Sequence, residues 1–250
     1  MKALISLLII FCFGFGQTGF EIAKIVDDLP EPKDMSNQTK MILINKKGKT
    51  RSMTMATMSM DGNKKQITWF LEPKDEKGVA FLKIEHDKKD DEMRMWLPAF
   101  KKVRRISSKK KGDAFMGSDL SYEDLTNRIL SENEYKRLDD EIIDGKECYV
   151  IEVRPNKSIK SSYKKHISWI EKSTFMGIKE ESYDKREELK KEKRYEFEKM
   201  KEYYLMKRVF VKDIQKNHST EVIFSDIKVD TGIDSKLFQE KNLKRLHRTN

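Results

Sequence analysis

The fold is decided by residues 51–71, which read RSMTMATMSMDGNKKQITWFL. In the first half of this stretch Met53 and Met55 alternate with polar residues, and Asp61-Gly62 follows as a turn dipeptide. In the second half the alternating apolar residues are Ile67, Trp69 and Leu71. Apolar residues at every second position are typical of half-buried strands, and Asp-Gly between two such runs favours a tight hairpin. The stretch therefore predicts two adjacent antiparallel strands.

Similar runs elsewhere extend this hairpin into a sheet. Met58 and Met60 are apolar in the opposite parity to the methionines before them, which predicts a β-bulge near Ala56-Thr57. The other alternating runs are Ala80, Leu82, Ile84; Met93, Met95, Leu97; and Tyr149, Ile151, Val153. Sequential hairpins with one apolar face indicate an antiparallel sheet, and a sheet this long is expected to curl. We predict a single α+β domain over residues 17–250, a curled antiparallel sheet forming an incomplete β-barrel with short helices over its concave side.

Three short helices are predicted around this sheet. The first presents an apolar stripe and ends before Pro30; the stripe consists of Ile22, Ile25, Val26 and Leu29. Ser121 with Asp124 resembles a capping box and predicts a second helix. Asp234 is expected to cap a third helix, which would present Leu237, Phe238 and Leu243.

Residues 179–207 fit two kinds of element. Their many Glu, Lys and Arg residues favour a helix by intrinsic propensity. Tyr195 and Phe197 nevertheless alternate with charged residues, as they would in a half-buried strand. The residues alone leave helix and strand open.

Composition excludes several classes of protein. The chain has 250 residues, of which 38% are charged and 37% hydrophobic, and its formal net charge is +10. Its 13 Phe, 13 Met and 8 Tyr are too many for a disordered polyelectrolyte, and its 11 Gly and 5 Pro exclude a collagen-like chain. Charge this dense also excludes a multi-pass membrane protein.

The first residues have the pattern of a cleaved signal peptide. Met1-Lys2 is positively charged, and residues 3–15 form an uncharged apolar run of 13 residues. A membrane-spanning helix needs ~20 apolar residues, so this run is too short for one. Gly14 and Gly16 supply the small residues that precede a cleavage site. We predict a signal peptide over residues 1–16 and export of the mature chain.

No constellation of residues in the sequence predicts an enzyme. The four histidines are scattered without the spacing of a zinc site; they are His86, His166, His218 and His247. Cleavage would remove Cys12, whose lipidation stays open, and leave Cys148 in a strand-like run as a buried, inert thiol. We therefore predict a non-enzymatic protein with no cofactor, no metal site and no catalytic residue.

The methionine-rich runs allow three interpretations. Met53, Met55, Met58 and Met60 give four thioethers in eight residues. Soft thioethers select Cu(I), so an exported copper-binding protein is the alternative function. Methionines can also fill an ordinary core, or line an adaptable apolar ligand site because their side chains are unbranched and polarizable.

A basic run occupies residues 101–111, with seven positive charges in eleven residues. Such a run normally suggests nucleic acid, but export and the lack of interleaved aromatic residues argue against that partner. Anionic lipid headgroups or an acidic partner fit better, with Arg104 and Arg105 as the contact residues. Alternatively, these two arginines pair with Asp119, Glu123 or Asp124.

Two blocks of sequence carry a family resemblance. The first runs from Trp96 to Ile106 and reads WLPAFKKVRRI; the second runs from Phe115 to Leu125 and reads FMGSDLSYEDL. They resemble the outer-membrane lipoprotein-sorting proteins, relatives of the periplasmic lipoprotein carrier LolA and its acceptor LolB. Leu120 stands where the family commonly has Phe. No position here matches the latching arginine of the carrier.

The resemblance implies an incomplete barrel with helices as a lid over an apolar cavity for the acyl chains of a lipoprotein or lipid. We expect the ligand-binding residues to be Met53, Met55, Trp69, Leu82, Met93, Met95 and Leu97. The implied protein is a monomeric carrier in the periplasm of a diderm bacterium, with transient membrane contact and no nucleic-acid partner. An inner-membrane transporter is a further partner that the resemblance leaves open.

Overall fold

The computed structural model describes residues 16–87 and 89–245. Their strands are β1 Asp34–Ile44, β2 Thr50–Met60, β3 Lys65–Glu72, β4 Ala80–Ile84, β5 Glu92–Leu97, β6 Lys102–Ile106, β7 Asn133–Arg137, β8 Glu141–Ile143, β9 Lys146–Pro155, β10 Lys165–Glu171, β11 Gly177–Tyr183, β12 Leu189–Met200, β13 Tyr203–Asp213 and β14 His218–Val229. The α-helix of the described residues is α1, Gly19–Asp27.

The strands form one antiparallel sheet that does not close. Its order is β6-β5-β4-β3-β2-β1-β14-β13-β12-β11-β10-β9-β7, and β8 pairs with β9. Neighbouring strands are mostly joined by hairpins, but β1 and β14, at the middle of the sheet, are far apart in the chain. The edges are β6 and β7. This open, curled sheet confirms the predicted half-barrel.

The sheet carries an apolar cluster on each face. On the concave face, residues of β1, β2, β5 and β13 pack with the loop residues Phe115 and Tyr122; the strand residues include Met41, Met53, Met55, Met93, Met95, Val209 and Val211. On the convex face, the C-terminal residues Phe238 and Leu243 pack over Ile67, Trp69 and Leu82. Because both faces of β3 and β4 are covered, four successive residues of β3 are buried.

The predicted β-bulge in β2 is wrong. The strand pairs with β1 in unbroken register from Thr50 to Met60. The register shift lies instead in the pairing of β2 with β3, where Thr54 pairs with Glu72 and Met55 with Phe70. The methionines change parity because the first two pack on the concave face of β2 and the next on its convex face. Met53 and Met55 belong to the concave cluster, whereas Met58 packs against the convex cluster beneath the C-terminal segment.

The first predicted helix is confirmed, and the other two are shorter than predicted. Thr18 and Glu21 form a complete capping box at the start of α1. Ser121 and Asp124 also bond reciprocally, yet they open only the 3-10 turn Glu123–Leu125. Asp234 caps the 3-10 turn Ser235–Leu237. Both short segments pack against the sheet, through Leu125 on the concave cluster and Leu237 on the convex cluster.

Residues 179–207 are strands. They comprise most of β11, all of β12 and the start of β13. Alternation decides here over propensity because the inward side chains of β12 have partners on the concave face. Lys191 and Lys193 are buried there, whereas the next residue, Arg194, is exposed.

The predicted signal peptide and Cys12 lie outside the described residues. Cys148 is buried, and burial raises the pKa of its thiol. Among residues 16–87 and 89–245, no helix is long and apolar enough to cross a membrane.

Candidate functional site

A cavity of about 480 Å³ lies against the concave face of the sheet. This volume falls within the ~300–1,000 Å³ typical of small-molecule sites. Strands β1, β2, β13 and β14 supply most of its apolar wall; the residues are Met41, Met55, Leu205, Met206, Val209, Val222, Phe224 and Ile227. Strands pointing alternate side chains inward produce this continuous wall.

Residues 113–127, called the covering segment, close the cavity over its apolar wall. The segment folds back on itself, because Ala114 bridges to Ser121 and the Tyr122 amide donates to the Asp113 carbonyl over 3.1 Å. The ring of Phe115 packs edge-on against Phe81 of β4, with centroids 5.2 Å apart. Leu120 and Leu125 of this segment also line the cavity.

Polar contacts fix the covering segment to both wings of the sheet. The buried Asp119 accepts from the Thr220 hydroxyl over 2.7 Å and also contacts His218, so this end is held to β14. At the other end, Lys83 of β4 donates to the Leu125 carbonyl over 2.6 Å. The covering segment is therefore fixed at both ends to the sheet, and from here on we call residues 113–127 the strap.

Asp124 is the most heavily bonded residue of the strap. Its carboxylate accepts from Lys191 over 2.7 Å and from Lys193 over 2.5 Å. The Tyr163 hydroxyl donates to the same carboxylate over 2.9 Å. Burial alone would raise the pKa of Asp124, but the two ammonium groups outweigh it and hold that pKa well below its usual range. The carboxylate is thus an ionised internal anchor.

A second carboxylate extends this cluster towards β10 and β11. Glu180 accepts two bonds from Arg128, of 2.6 and 2.9 Å, and one from Lys193 over 3.1 Å. His166 lies 3.4 Å from Glu180 and 2.9 Å from Ser182. Burial, reinforced by Arg128, lowers the pKa of His166 to about 4, so its ring is neutral at pH 7. Together these residues form a closed ionic network beside the cavity.

The network meets the cavity at two side chains, Asp124 and Lys193, and Tyr195 lines the cavity as well. Each carboxylate of the network is held by cations, and Lys193 bridges both. A network without an unpaired buried carboxylate stabilises one arrangement of strap and sheet. His166 Nδ1 lies 2.9 Å from the Ser182 hydroxyl, but both side chains are buried and neither lines the cavity.

The comparisons with known proteins agree with this architecture. A candidate outer membrane lipoprotein-sorting protein domain from Vibrio parahaemolyticus is 30% identical in sequence, with a TM-score of 0.86. The match covers 91% of this chain and 98% of that domain. The chain belongs to the outer-membrane lipoprotein-sorting protein family. The family model that matches residues 62–245 is described only as an uncharacterized protein.

Two further solved structures resemble this member of the lipoprotein-sorting family. A DUF1329 family protein from Desulfovibrio piger is 28% identical, with a TM-score of 0.85 over 90% of this chain and 97% of that one. A LolA superfamily protein from Nitrosomonas europaea shares the fold at 20% identity, with a TM-score of 0.71 over 90% of this chain and 99% of that one. No curated protein matches the chain.

The expected ligand-binding residues of this lipoprotein-sorting family member separate into two groups. Met53, Met55, Met93 and Met95 belong to the concave cluster, and Leu97 packs against it. Of these, Met55 lines the cavity, while the others lie behind or beside its wall. Trp69 and Leu82 lie on the convex face beneath Phe238. The two faces of β3 and β4 are both apolar, so alternation alone assigned these two residues to the wrong side.

Arg104 and Arg105 are exposed on the edge strand β6 and form no ion pair with the described residues. The three acids considered as their partners are bonded elsewhere. Asp119 holds His218, Asp124 holds the two lysines, and Glu123 accepts from the amide of Ser162 over 2.8 Å. Pairing within this region is therefore wrong for both arginines, and a contact with a headgroup or partner stays a prediction.

The four methionines of β2 do not meet at one point. Two face the concave cluster and two lie on the opposite side of the strand, with Met58 against the convex cluster. A Cu(I) site needs several thioethers directed at one centre. The separation of these side chains gives the copper interpretation no support.

Sequence reasoning missed the residues that β13 and β14 contribute to the cavity. Val209, Val222 and Phe224 line it, although none belonged to the expected set. These residues stand in short continuous apolar runs, Val209-Phe210-Val211 and Val222-Ile223-Phe224, which do not show which side faces inward. The ionic network was also missed, since its members come from distant segments and show no local pattern.

Proposed function

We propose that the protein is a periplasmic carrier that holds the acyl chains of a lipoprotein or lipid in this cavity and delivers them towards the outer membrane. The observation that carries the proposal is the apolar wall of Met, Val, Leu and Phe side chains enclosing about 480 Å³ under the strap. Membership of the lipoprotein-sorting family supports the same class of cargo.

The chemistry of the wall suits reversible binding. Burying a methylene group stabilises a complex by roughly 0.8 kcal/mol, so a single acyl chain can be retained without covalent chemistry. Met41, Met55 and Met206 adapt to chains of different length because methionine is flexible and polarizable. A carrier that must release its cargo benefits from such a non-directional surface.

The decisive experiment is mass spectrometry of molecules that remain bound to the full chain after native purification from bacterial envelopes. Acyl lipids or acylated peptides are expected at about one per protein. Val222→Phe, which fills the cavity, is expected to lower this retention severalfold, whereas Ile142→Phe at an exposed position retains the wild-type amount. Wild-type protein free of acyl compounds, with no uptake of added lipid, contradicts the carrier function.

The basic edge of the sheet suits the proposed transient contact with a membrane. Phe100 is 70% exposed between β5 and β6, and exposed Arg104 and Arg105 follow it. An exposed aromatic ring beside cationic side chains favours binding to an anionic bilayer surface. Binding to vesicles containing phosphatidylglycerol is expected to weaken in Arg104→Gln/Arg105→Gln protein and at high salt. Equal binding by both proteins at low salt contradicts this role.

The periplasmic location, the transporter partner and the monomeric state stay predictions.

A further inference from the structure

A group of polar side chains interrupts the apolar wall of the cavity on β1, β2 and β3. Asn37 lies opposite Thr57, and Thr57 lies opposite Thr68. Thr39 and Ser59 follow at alternate positions on the same face. All five side chains line the cavity, and each residue is at most 7% exposed. We call these five residues the polar row.

The hydrogen bonds of the polar row leave donors directed into the cavity. The Thr39 hydroxyl donates to Oδ1 of Asn37 over 2.8 Å, and the hydroxyls of Thr57 and Thr68 are 3.1 Å apart. Neither Nδ2 of Asn37 nor Oγ of Ser59 has a hydrogen-bond partner among the described residues. Both residues are almost fully buried, but these two donor atoms keep contact with the cavity, where solvent or a ligand can accept from them. Two such donors in one wall point to a ligand that accepts hydrogen bonds.

We infer that the polar row binds the ester carbonyl of an acyl lipid whose hydrocarbon chain lies along the apolar wall. This inference rests on the proposed carrier function and specifies the chemistry of its cargo. A neutral amide and a hydroxyl can donate to a carbonyl oxygen, which needs no counter-charge. Among the described residues that line the cavity, Lys193 is the one cation, and it is already bonded to Asp124 and Glu180. A free carboxylate therefore has less to gain here than an ester.

The test compares two ligands with the same hydrocarbon chain, monopalmitoylglycerol and palmitate. Each displaces anilinonaphthalene sulfonate from the full chain, and the wild type is expected to bind the ester more tightly. Asn37→Ala/Ser59→Ala removes both donors and is expected to weaken ester binding about five- to thirtyfold, with less than a twofold change for palmitate. The matched control is Ser36→Ala/Gln38→Ala, which alters the outward side chains beside Asn37 and leaves both affinities unchanged.

The outcomes separate this inference from the carrier function. Equal weakening of both ligands, or unchanged ester binding in the double variant, overturns the ester site but not the carrier. Failure of both ligands to bind the wild type overturns both proposals. Circular dichroism establishes that the variants fold. If the double variant is unfolded, Ser59→Ala alone is expected to weaken ester binding two- to tenfold, and no change overturns the inference.

Discussion

Nζ of Lys193 lies 2.5 Å from Oδ1 of Asp124, joining strand β12 to the strap across the cavity. The two residues are 69 positions apart in the chain, and their side chains are only 4% and 2% exposed. Breaking a buried ion pair leaves a charge without its partner, which is far more costly than losing a surface pair. The strap is thus held by charge as well as by apolar packing.

We expect Asp124→Asn to lower the free energy of unfolding by roughly 3–5 kcal/mol, because Lys191 and Lys193 lose their common carboxylate. Urea denaturation measures the change. Asp144→Asn removes an exposed partner of Arg194 and is expected to cost less than about 1 kcal/mol. Similar losses in the two variants would show that the internal position of Asp124 is unimportant.

Acidification is expected to destabilise the protein through His166. Its folded pKa is about 4, below the ~6.5 of an unfolded histidine, so between these values protons bind the unfolded chain preferentially. The stabilisation is complete above pH ~6.5 and is lost as the pH falls towards 4, by at most about 1.4 kcal/mol per pH unit. Chemical denaturation across this range measures the slope. We expect His166→Gln to reduce it, and an unchanged slope would exclude His166 as its source.

The C-terminal segment is expected to contribute strongly to stability. Phe238 is 3% exposed and covers the convex cluster at Trp69 and Leu82. Phe238→Ala is expected to cost roughly 3–5 kcal/mol, since it leaves a cavity over the sheet. Phe100→Ala is the matched control, because that ring is 70% exposed and its loss is expected to change stability by less than about 0.5 kcal/mol. Equal melting temperatures for the two variants would contradict the packing role of Phe238.

Asp34 fixes the start of that segment to the first strand. Its carboxylate accepts from the amides of Thr231, Gly232 and Ile233 and from the Thr231 hydroxyl. Asp34→Asn replaces one acceptor oxygen by a donor and is expected to cost roughly 1.5–3 kcal/mol in urea denaturation. Asp226→Asn alters an exposed carboxylate and serves as the control. Unchanged stability of Asp34→Asn would show that these four bonds are replaceable.

Local alternation predicted the architecture but could not assign every face. It identified the methionine strands and the central hairpins, because a half-buried strand carries its own period-two signal. In β3, however, Ile67 and Trp69 form one apolar set, while Phe70 on the other face packs against the concave cluster. Which set faces the cavity depends on the distant C-terminal segment, and that information is absent from the strand itself.

The candidate site was less predictable than the fold. The motif around Ser121 and Asp124 was visible as a capping box, yet its carboxylate also serves lysines on β12. The spacing between Asp124 and those lysines has no local period, so only the paired strands bring them together. The polar row was equally hidden, because a buried Thr or Asn in an alternating strand resembles an outward-facing residue in the sequence.

The central pairing of β1 with β14 sets the order in which the molecule can be completed. Until residues 218–229 are available, β1 presents one bare edge and β13 another, with no neighbouring strand to cover them. Such edges recruit other chains, and pairing across so long a stretch of sequence is slow. A nascent or truncated chain that stops before residue 218 therefore has two separate half-sheets, each with an unpaired edge that favours aggregation. Strand β14 joins the two half-sheets by pairing with both β1 and β13.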